Sequence, residues 1–264
     1  MVSRFSSFEP EPRAGWTRFG ERLVPSQEKI GLVRNVFDSV APRYDLMNDL
    51  MSLGIHRLWK DRLVSWLQPR QTMRILDVAG GTGDVALRMY GRRKELSGDQ
   101  VGGITVCDVN IEMLEIGRDR ALNSGIVEGI EWVCSDAESL CWPDDTFDAY
   151  TIAFGIRNVT NMKLALSEAK RVLKPGGRFM CLEFSKPIIP AIVPLYNAYS
   201  EHVLPRMGEC VTAHGDAYRY LVESIRRFPD QEVLAGMLCD VGLERVRYRN
   251  LSGGIAALHS AWCL

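Results

Sequence analysis

Gly81-Thr-Gly83-Asp84-Val85-Ala86 follows the apolar run Arg74-Ile-Leu-Asp-Val-Ala79 and opens a helical pattern over residues 84–96. A strand that passes through such a turn into a helix lets the backbone approach a ligand closely at the helix N-terminus. The spacing fits dinucleotides and nucleosides alike, so the neighbouring charges carry the distinction. Asp77 precedes the loop and Asp84 lies in the first turn of the helix. A helix N-terminus attracts a pyrophosphate, and a carboxylate beside it repels one. S-adenosylmethionine has an ammonium and a sulfonium and no phosphate, so carboxylates suit it. Asp84 also reads as a helix-capping acid.

Two further acids fall at matching places. Asp108 ends the next strand pattern, where a carboxylate can accept hydrogen bonds from both hydroxyls of a ribose. Asp136-Ala137 ends the third, where the carboxylate can accept from an adenine amine and the alanine amide can donate to a ring nitrogen. Acids at three successive strand ends make a nucleoside pocket on the carboxyl edge of a parallel sheet.

The elements that must hold these residues are legible in outline. Strand patterns at residues 74–79, 102–107, 130–134, 147–154 and 177–184 alternate with helical ones at 84–96, 111–123 and 161–173. That alternation implies βαβ units and a parallel sheet. Lys174-Pro-Gly-Gly177 reads as the turn that ends a helix. Two helical stretches precede the sheet, one from Lys29 and broken at Pro42, one from about Asp45 to Leu67. Residues 1–27 are polar and read as an arm, and residues 28–264 as a single domain. Residues 186–228, rich in aromatics and proline, read as an inserted helical cover. A helix over 230–241 and two strands, 243–249 and 255–263, close the chain.

Composition excludes several classes. Hydrophobic residues at 46% and charged residues at 25% fit a globular core and not a disordered chain. With 32 Lys+Arg against 33 Asp+Glu there is no basic surplus, and nucleic acid is not expected as the main partner. The seven cysteines lack metal-ligand spacing and read as free thiols, and no metal site is expected. No apolar run approaches the roughly 20 residues of a spanning helix.

At two segments the chain becomes recognisable. Tyr44-Asp-Leu-Met-Asn48, continuing to His56-Arg-Leu-Trp59, and Arg171-Val-Leu-Lys-Pro-Gly-Gly177, continuing to Leu182-Glu-Phe-Ser185, resemble the ubiquinone/menaquinone-biosynthesis C-methyltransferases. Thr151-Ile-Ala-Phe-Gly-Ile-Arg-Asn-Val159 between them is similar to the signature of that family. The late motif Tyr220–Pro229 and the ending Gly254–His259 are similar to its mitochondrial branch. The resemblance runs from about Phe19 to the C-terminus.

The resemblance implies an α/β, class I S-adenosylmethionine-dependent methyltransferase. Its fold would be a Rossmann-like, seven-stranded, mostly parallel sheet with helices on both faces. N-terminal helices and a helical insertion would cover the active site. It implies cofactor contacts from Asp77, Gly81, Thr82, Gly83, Asp108, Asp136, Ala137 and Ala153. The acceptor would be a ring carbon of 2-methoxy-6-polyprenyl-1,4-benzoquinol. A homodimer, membership of a multi-subunit ubiquinone-synthesis complex and peripheral contact with the mitochondrial inner membrane from the matrix are implied too. A bacterial cytoplasmic member would look much the same.

For the chemistry, the sulfonium is already a good leaving group and the quinol ring is electron-rich. The protein must supply in-line placement and a route for the ring proton. Arg157 and Asn158, after the fourth strand, and Tyr44, on the N-terminal helices, are the catalytic candidates. Arg157 stays protonated and would stabilise a phenolate or orient a water; the plainer reading pairs it with a carboxylate such as Asp148. Asn158 would bond a quinol hydroxyl. Glu183 and His56 are weaker candidates, and Asp148 reads as structural. Three alternatives stay open: a demethylmenaquinol or other acceptor, a nicotinamide-dependent dehydrogenase, and a structural subunit of a quinone-synthesis complex. Asp84 and the lack of a clear hydride-site Tyr-x-x-x-Lys or catalytic His count against the dehydrogenase.

Overall fold

Ile75, Leu76, Asp77 and Val78 are all buried, which is what a strand covered on both faces requires. They form an interior strand in the computed structural model, which describes residues 15–40, 49, 52, 54–97, 103–190, 194 and 215–264. Nine strands are present among these residues: β1 (Trp16–Phe19), β2 (Arg22–Pro25), β3 (Ile75–Val78), β4 (Ile104–Asp108), β5 (Ile130–Cys134), β6 (Phe147–Ala153), β7 (Leu173–Phe184), β8 (Glu244–Leu251) and β9 (Ala256–Trp262). The α-helices are α1 (Ser26–Val40), α2 (His56–Leu67), α3 (Asp84–Ser97), α4 (Ile111–Asn123), α5 (Met162–Val172), α6 (Gly215–Arg227) and α7 (Gln231–Asp240).

Seven strands make one sheet in the order β5-β4-β3-β6-β7-β9-β8. Pairs from β5 to β7 are parallel, and β9 runs antiparallel to both its neighbours. The order reverses between β3 and β6, so the crevice at the carboxyl ends of these strands is the place for a ligand. Successive residues of a strand face opposite layers. Ile75, Ala149 and Met180 join the core that contains Trp59 and Leu63 of α2 and Met89 of α3. Leu76, Tyr150 and Cys181 join the other, with Ala169 of α5 and Leu238 of α7.

Three readings of the sequence change. Residues 16–25 are not part of a featureless arm: β1 and β2 form an antiparallel hairpin. Phe19 stacks on Tyr220 of α6 with ring centroids 4.3 Å apart, which gives this polar stretch an apolar anchor. The helix that follows starts at Ser26, before Lys29. Lys174–Gly177 follows α5 but lies inside the β7 run, at a register shift against β6. Its backbone is held by β9's end, with Gly176 N–H donating to the Cys263 carbonyl and Cys263 N–H to the Gly177 carbonyl. The inserted cover lies largely outside the described residues, which resume at helix α6.

Candidate active site

The loop after β3 owes its shape to residues without room for side chains. Gly81 and Gly83 have φ of +54° and +73°. A Cβ on Gly83 would sit 2.4 Å from the Trp132 indole of β5. Ala79 and Phe154, at the ends of neighbouring strands β3 and β6, also have positive φ, +49° and +59°. Such backbone costs on the order of 1–3 kcal/mol per residue and concentrates at ligand sites. The two strained loops touch: a Cβ on Gly155 would fall 2.3 Å from the Ala79 Cβ.

A groove runs along the carboxyl ends of β3, β4, β5 and β6. Gly81, Asp108, Asp136, Ala137 and Asn158 line it, as the sequence pattern anticipates. Ile30, Val33 and Arg34 of α1 line it from the other side, with Met113, Glu138 and Phe154. Asp108 Oδ2 accepts the Gly81 N–H (2.8 Å) and Oδ1 accepts the Asn110 N–H (2.9 Å). Each oxygen keeps a further lone pair for a ligand hydroxyl. Burial raises the Asp108 pKa against these hydrogen bonds. Asp136 Oδ1 accepts the Glu138 N–H at 2.9 Å.

A smaller recess adjoins the groove at Gly81 and is lined by Asp77, Thr82, Ala153, Lys60 and Asp84 among others. Thr151 Oγ1 donates to Asp77 Oδ1 at 2.6 Å. Asp77 Oδ2 is buried without a partner among the described residues. Burial pushes this carboxyl up to about 7. An orphaned buried oxygen of this kind is completed by a cationic donor, and an amino-acid ammonium fits it. Thr82 is buried, and Arg120 donates to its hydroxyl at 3.3 Å.

Asp84 does not act as expected. Lys60 of α2 binds its Oδ2 at 2.8 Å and Arg88 its Oδ1 at 2.9 Å. These cations hold its pKa below the ordinary value despite burial. The carboxylate is neutralised, so it no longer repels a phosphate at the helix N-terminus, and the case against a dinucleotide rests on the other acids.

Arg157 is buried and is not among the residues that line the groove. Its Nη1 donates to Glu183 Oε1 and to the Phe154 carbonyl, both at 2.6 Å. The partner is Glu183 and not Asp148, which accepts from the Arg74 N–H and from Lys174. Both side chains are nearly inaccessible, at 2% and 1%. Arg157 Nε has no partner among the described residues. Asn158 Oδ1 accepts the Tyr220 hydroxyl at 3.0 Å. Tyr44 lies outside the described residues. His56 pairs with Ser52 Oγ at 2.9 Å, and burial lowers its pKa to about 4.

Helix α1 forms the groove's outer wall, as the resemblance implied in placing N-terminal helices over the active site. Lys29 of α1 donates to the Val159 carbonyl at 2.7 Å, and burial lowers it to about 8. The resemblance did not say which residues of α1 line the groove; Ile30, Val33 and Arg34 do.

A parallel sheet with acids at its carboxyl edge is common to many nucleoside enzymes. The family model of the ubiE/COQ5 methyltransferase family matches residues 24–263. The chain belongs to that family. It is 54% identical over 248 residues to the "Ubiquinone/menaquinone biosynthesis C-methyltransferase UbiE" of Brucella canis, covering 93% of this chain and 90% of that one. It is 50% identical over 276 residues to the "2-methoxy-6-polyprenyl-1,4-benzoquinol methylase, mitochondrial" of Danio rerio, covering 94% and 84%. Solved structures share the fold. A SAM-dependent methyltransferase from Aquifex aeolicus superposes with a TM-score of 0.56 at 18% identity, over 78% of this chain and 89% of that one. The CurJ carbon methyltransferase gives 0.52 at 15%, over 74% and 49%. The protein is therefore a class I, S-adenosylmethionine-dependent C-methyltransferase, and the dehydrogenase reading falls away.

Proposed function

We propose that this enzyme methylates a ring carbon of 2-methoxy-6-polyprenyl-1,4-benzoquinol in ubiquinone synthesis. The observation that carries the acceptor is the 50% identity to the zebrafish benzoquinol methylase across nearly the whole chain. S-adenosylmethionine supplies an electrophilic methyl group on its sulfonium. The chain's own residues bind and orient. Asp77 holds the ammonium through its unpartnered oxygen, with Thr82 and Ala153 in the same recess. Asp108 takes the ribose hydroxyls, and Asp136 and Ala137 take the adenine edge. Gly81 and Gly83 shape the loop between them.

Asn158 lines the groove with its carbonyl oxygen engaged by Tyr220, which leaves its amide hydrogens to donate to a quinol oxygen. Arg157, buried against Glu183 and bound to the carbonyl of groove residue Phe154, acts through its charge on a developing phenolate at the acceptor side. Tyr44, outside the described residues, is assigned to the acceptor by the resemblance alone.

The location follows the acceptor. A polyprenyl tail partitions into a bilayer, yet no described helix is long and apolar enough to cross one. Peripheral attachment to the mitochondrial inner membrane, as a homodimer within a multi-subunit synthesis complex, fits these constraints. Ile188 and Ile189, 58% and 43% exposed, begin the contact segment that continues to Tyr199, most of it outside the described residues.

The deciding experiment is incubation with S-adenosylmethionine and either a short-chain 2-methoxy-benzoquinol or a demethylmenaquinol. Mass analysis should find one methyl added on carbon of the benzoquinol. Turnover of the demethylmenaquinol alone would reassign the acceptor.

A further inference from the structure

A second cavity, of about 520 Å³, opens at the amino edge of the sheet, opposite the cofactor groove. Leu67, Gln68, Arg70, Met73, Arg178 and Trp262 are among its lining residues. Arg178 is the half-buried cation of this cavity. Its guanidinium carbon lies 5.3 Å from the Trp66 ring centroid and 5.2 Å from that of Trp262. Its Nε donates to Ser260 Oγ at 2.9 Å and its Nη1 to the Trp66 carbonyl at 2.6 Å. Arg249, on edge strand β8, sits 4.1 Å above the same Trp66 ring.

These charges lack counter-ions among the described residues. Among the described residues, Arg70, Arg178, Arg247 and Arg249 form no ion pair. Arg247 lies opposite Ser260, the residue that holds Arg178. The one acid in the lining, Asp148, is already bound to Lys174 at 2.9 Å and to the Arg74 N–H. The chain has 33 acidic residues against 32 Lys and Arg, so the lack of a partner here is local and not compositional. Burial and the Arg249 charge both lower the Arg178 pKa, which marks the cluster as electrostatically unfavourable when nothing is bound.

We propose that this cavity is a binding site for a phosphate-class oxyanion, separate from the methyl-transfer site. Arg178 is fixed by two indoles and two hydrogen bonds, so a ligand bound by its remaining N–H groups costs little further side-chain freedom. Arg70 supplies the second charge from the loop between α2 and β3. A phosphate or diphosphate matches two guanidinium groups in charge. Leu67, Met73 and Trp262 form apolar walls that suit an ester bearing a hydrocarbon group. The phosphate comes either from a soluble molecule or from a lipid headgroup.

The test uses the full chain at low ionic strength. Inorganic phosphate and pyrophosphate are titrated by calorimetry, and flotation is followed with phosphatidylcholine vesicles with and without phosphatidic acid. Saturable one-site binding is expected, weakened about tenfold or more by Arg70→Gln or Arg178→Gln, the scale of one charge-assisted hydrogen bond. Lys163→Gln, on α5 far from the cavity, should leave it unchanged, and Arg70→Gln should leave methyl transfer unchanged. Binding of free pyrophosphate without vesicle capture assigns a soluble ligand; capture by phosphatidic acid vesicles alone assigns a headgroup. Should Arg178→Gln fail to fold, exposed Arg70 still decides the matter. The proposal falls if neither source binds, or if Lys163→Gln weakens binding as much as Arg70→Gln does.

Discussion

Asp108 at the end of β4 accepts the backbone N–H of Gly81 at 2.8 Å, so the acid expected to hold the ribose also ties down the glycine loop. Binding and loop shape are therefore coupled in one side chain. Asp108→Ala should weaken cofactor binding by about 1–3 kcal/mol, the scale of losing a charged hydrogen-bond partner. Calorimetry with S-adenosylmethionine, with circular dichroism as a check on the fold, measures this. Unchanged affinity in a folded variant removes Asp108 from the site.

Asp77 gives a pH signature. Burial raises its carboxyl from 3.8 to about 7. The folded state then binds more protons than the unfolded state between these values, so stability is greatest below pH 3.8 for this group and is lost as pH rises toward about 7. The slope has an upper limit of about 1.4 kcal/mol per pH unit. Asp77→Asn keeps an acceptor for Thr151 and should flatten urea-unfolding stability across this window relative to the parent. Parallel profiles for the two proteins would contradict the assignment.

Arg157 and Glu183 form a buried pair at 2.6 Å. Glu183→Ala strands a buried guanidinium and should cost about 3–5 kcal/mol of unfolding free energy. Arg157→Lys keeps the charge but loses the planar fork. It should retain cofactor affinity and lose methyl transfer. Turnover within about twofold of the parent would leave Arg157 with a structural role only.

Tyr220 fixes the orientation of Asn158 through a 3.0 Å hydrogen bond. Tyr220→Phe removes that bond and keeps the Phe19 stack. The kcat/KM for quinol should fall by roughly threefold to tenfold, as for one neutral hydrogen bond, with cofactor affinity unaltered. An equal loss in cofactor affinity would mean that the helix itself had shifted.

Gly155 supports the two strained loops. A Cβ there would meet the Ala79 Cβ at 2.3 Å, and neither atom can rotate away. Gly155→Ala should push the ends of β3 and β6 apart and weaken cofactor binding about tenfold or more, a geometric effect on placement. Normal binding and turnover would mean that the loops tolerate separation.

The order of strands and helices from β3 to α5 was legible because each element carries its own periodicity, and because acids and glycines at strand ends are local features. Gly81, Asp108, Asp136 and Ala137 were placed on one edge by that pattern alone, and they do line one groove. The family was legible for the same reason, since its motifs are contiguous in sequence. Pairing between distant side chains was not. Nothing in the spacing of residues 60 and 84, or 157 and 183, says that Lys60 neutralises Asp84 or that Glu183 takes Arg157. Those pairs exist because α2 crosses the start of α3 and because β6 lies beside β7 in the sheet. The resemblance placed N-terminal helices over the site, but that Ile30, Val33 and Arg34 are the α1 residues lining the groove depends on packing. The orphaned oxygen of Asp77 and the arginines stacked on Trp66 are likewise properties of burial, which only the tertiary arrangement decides.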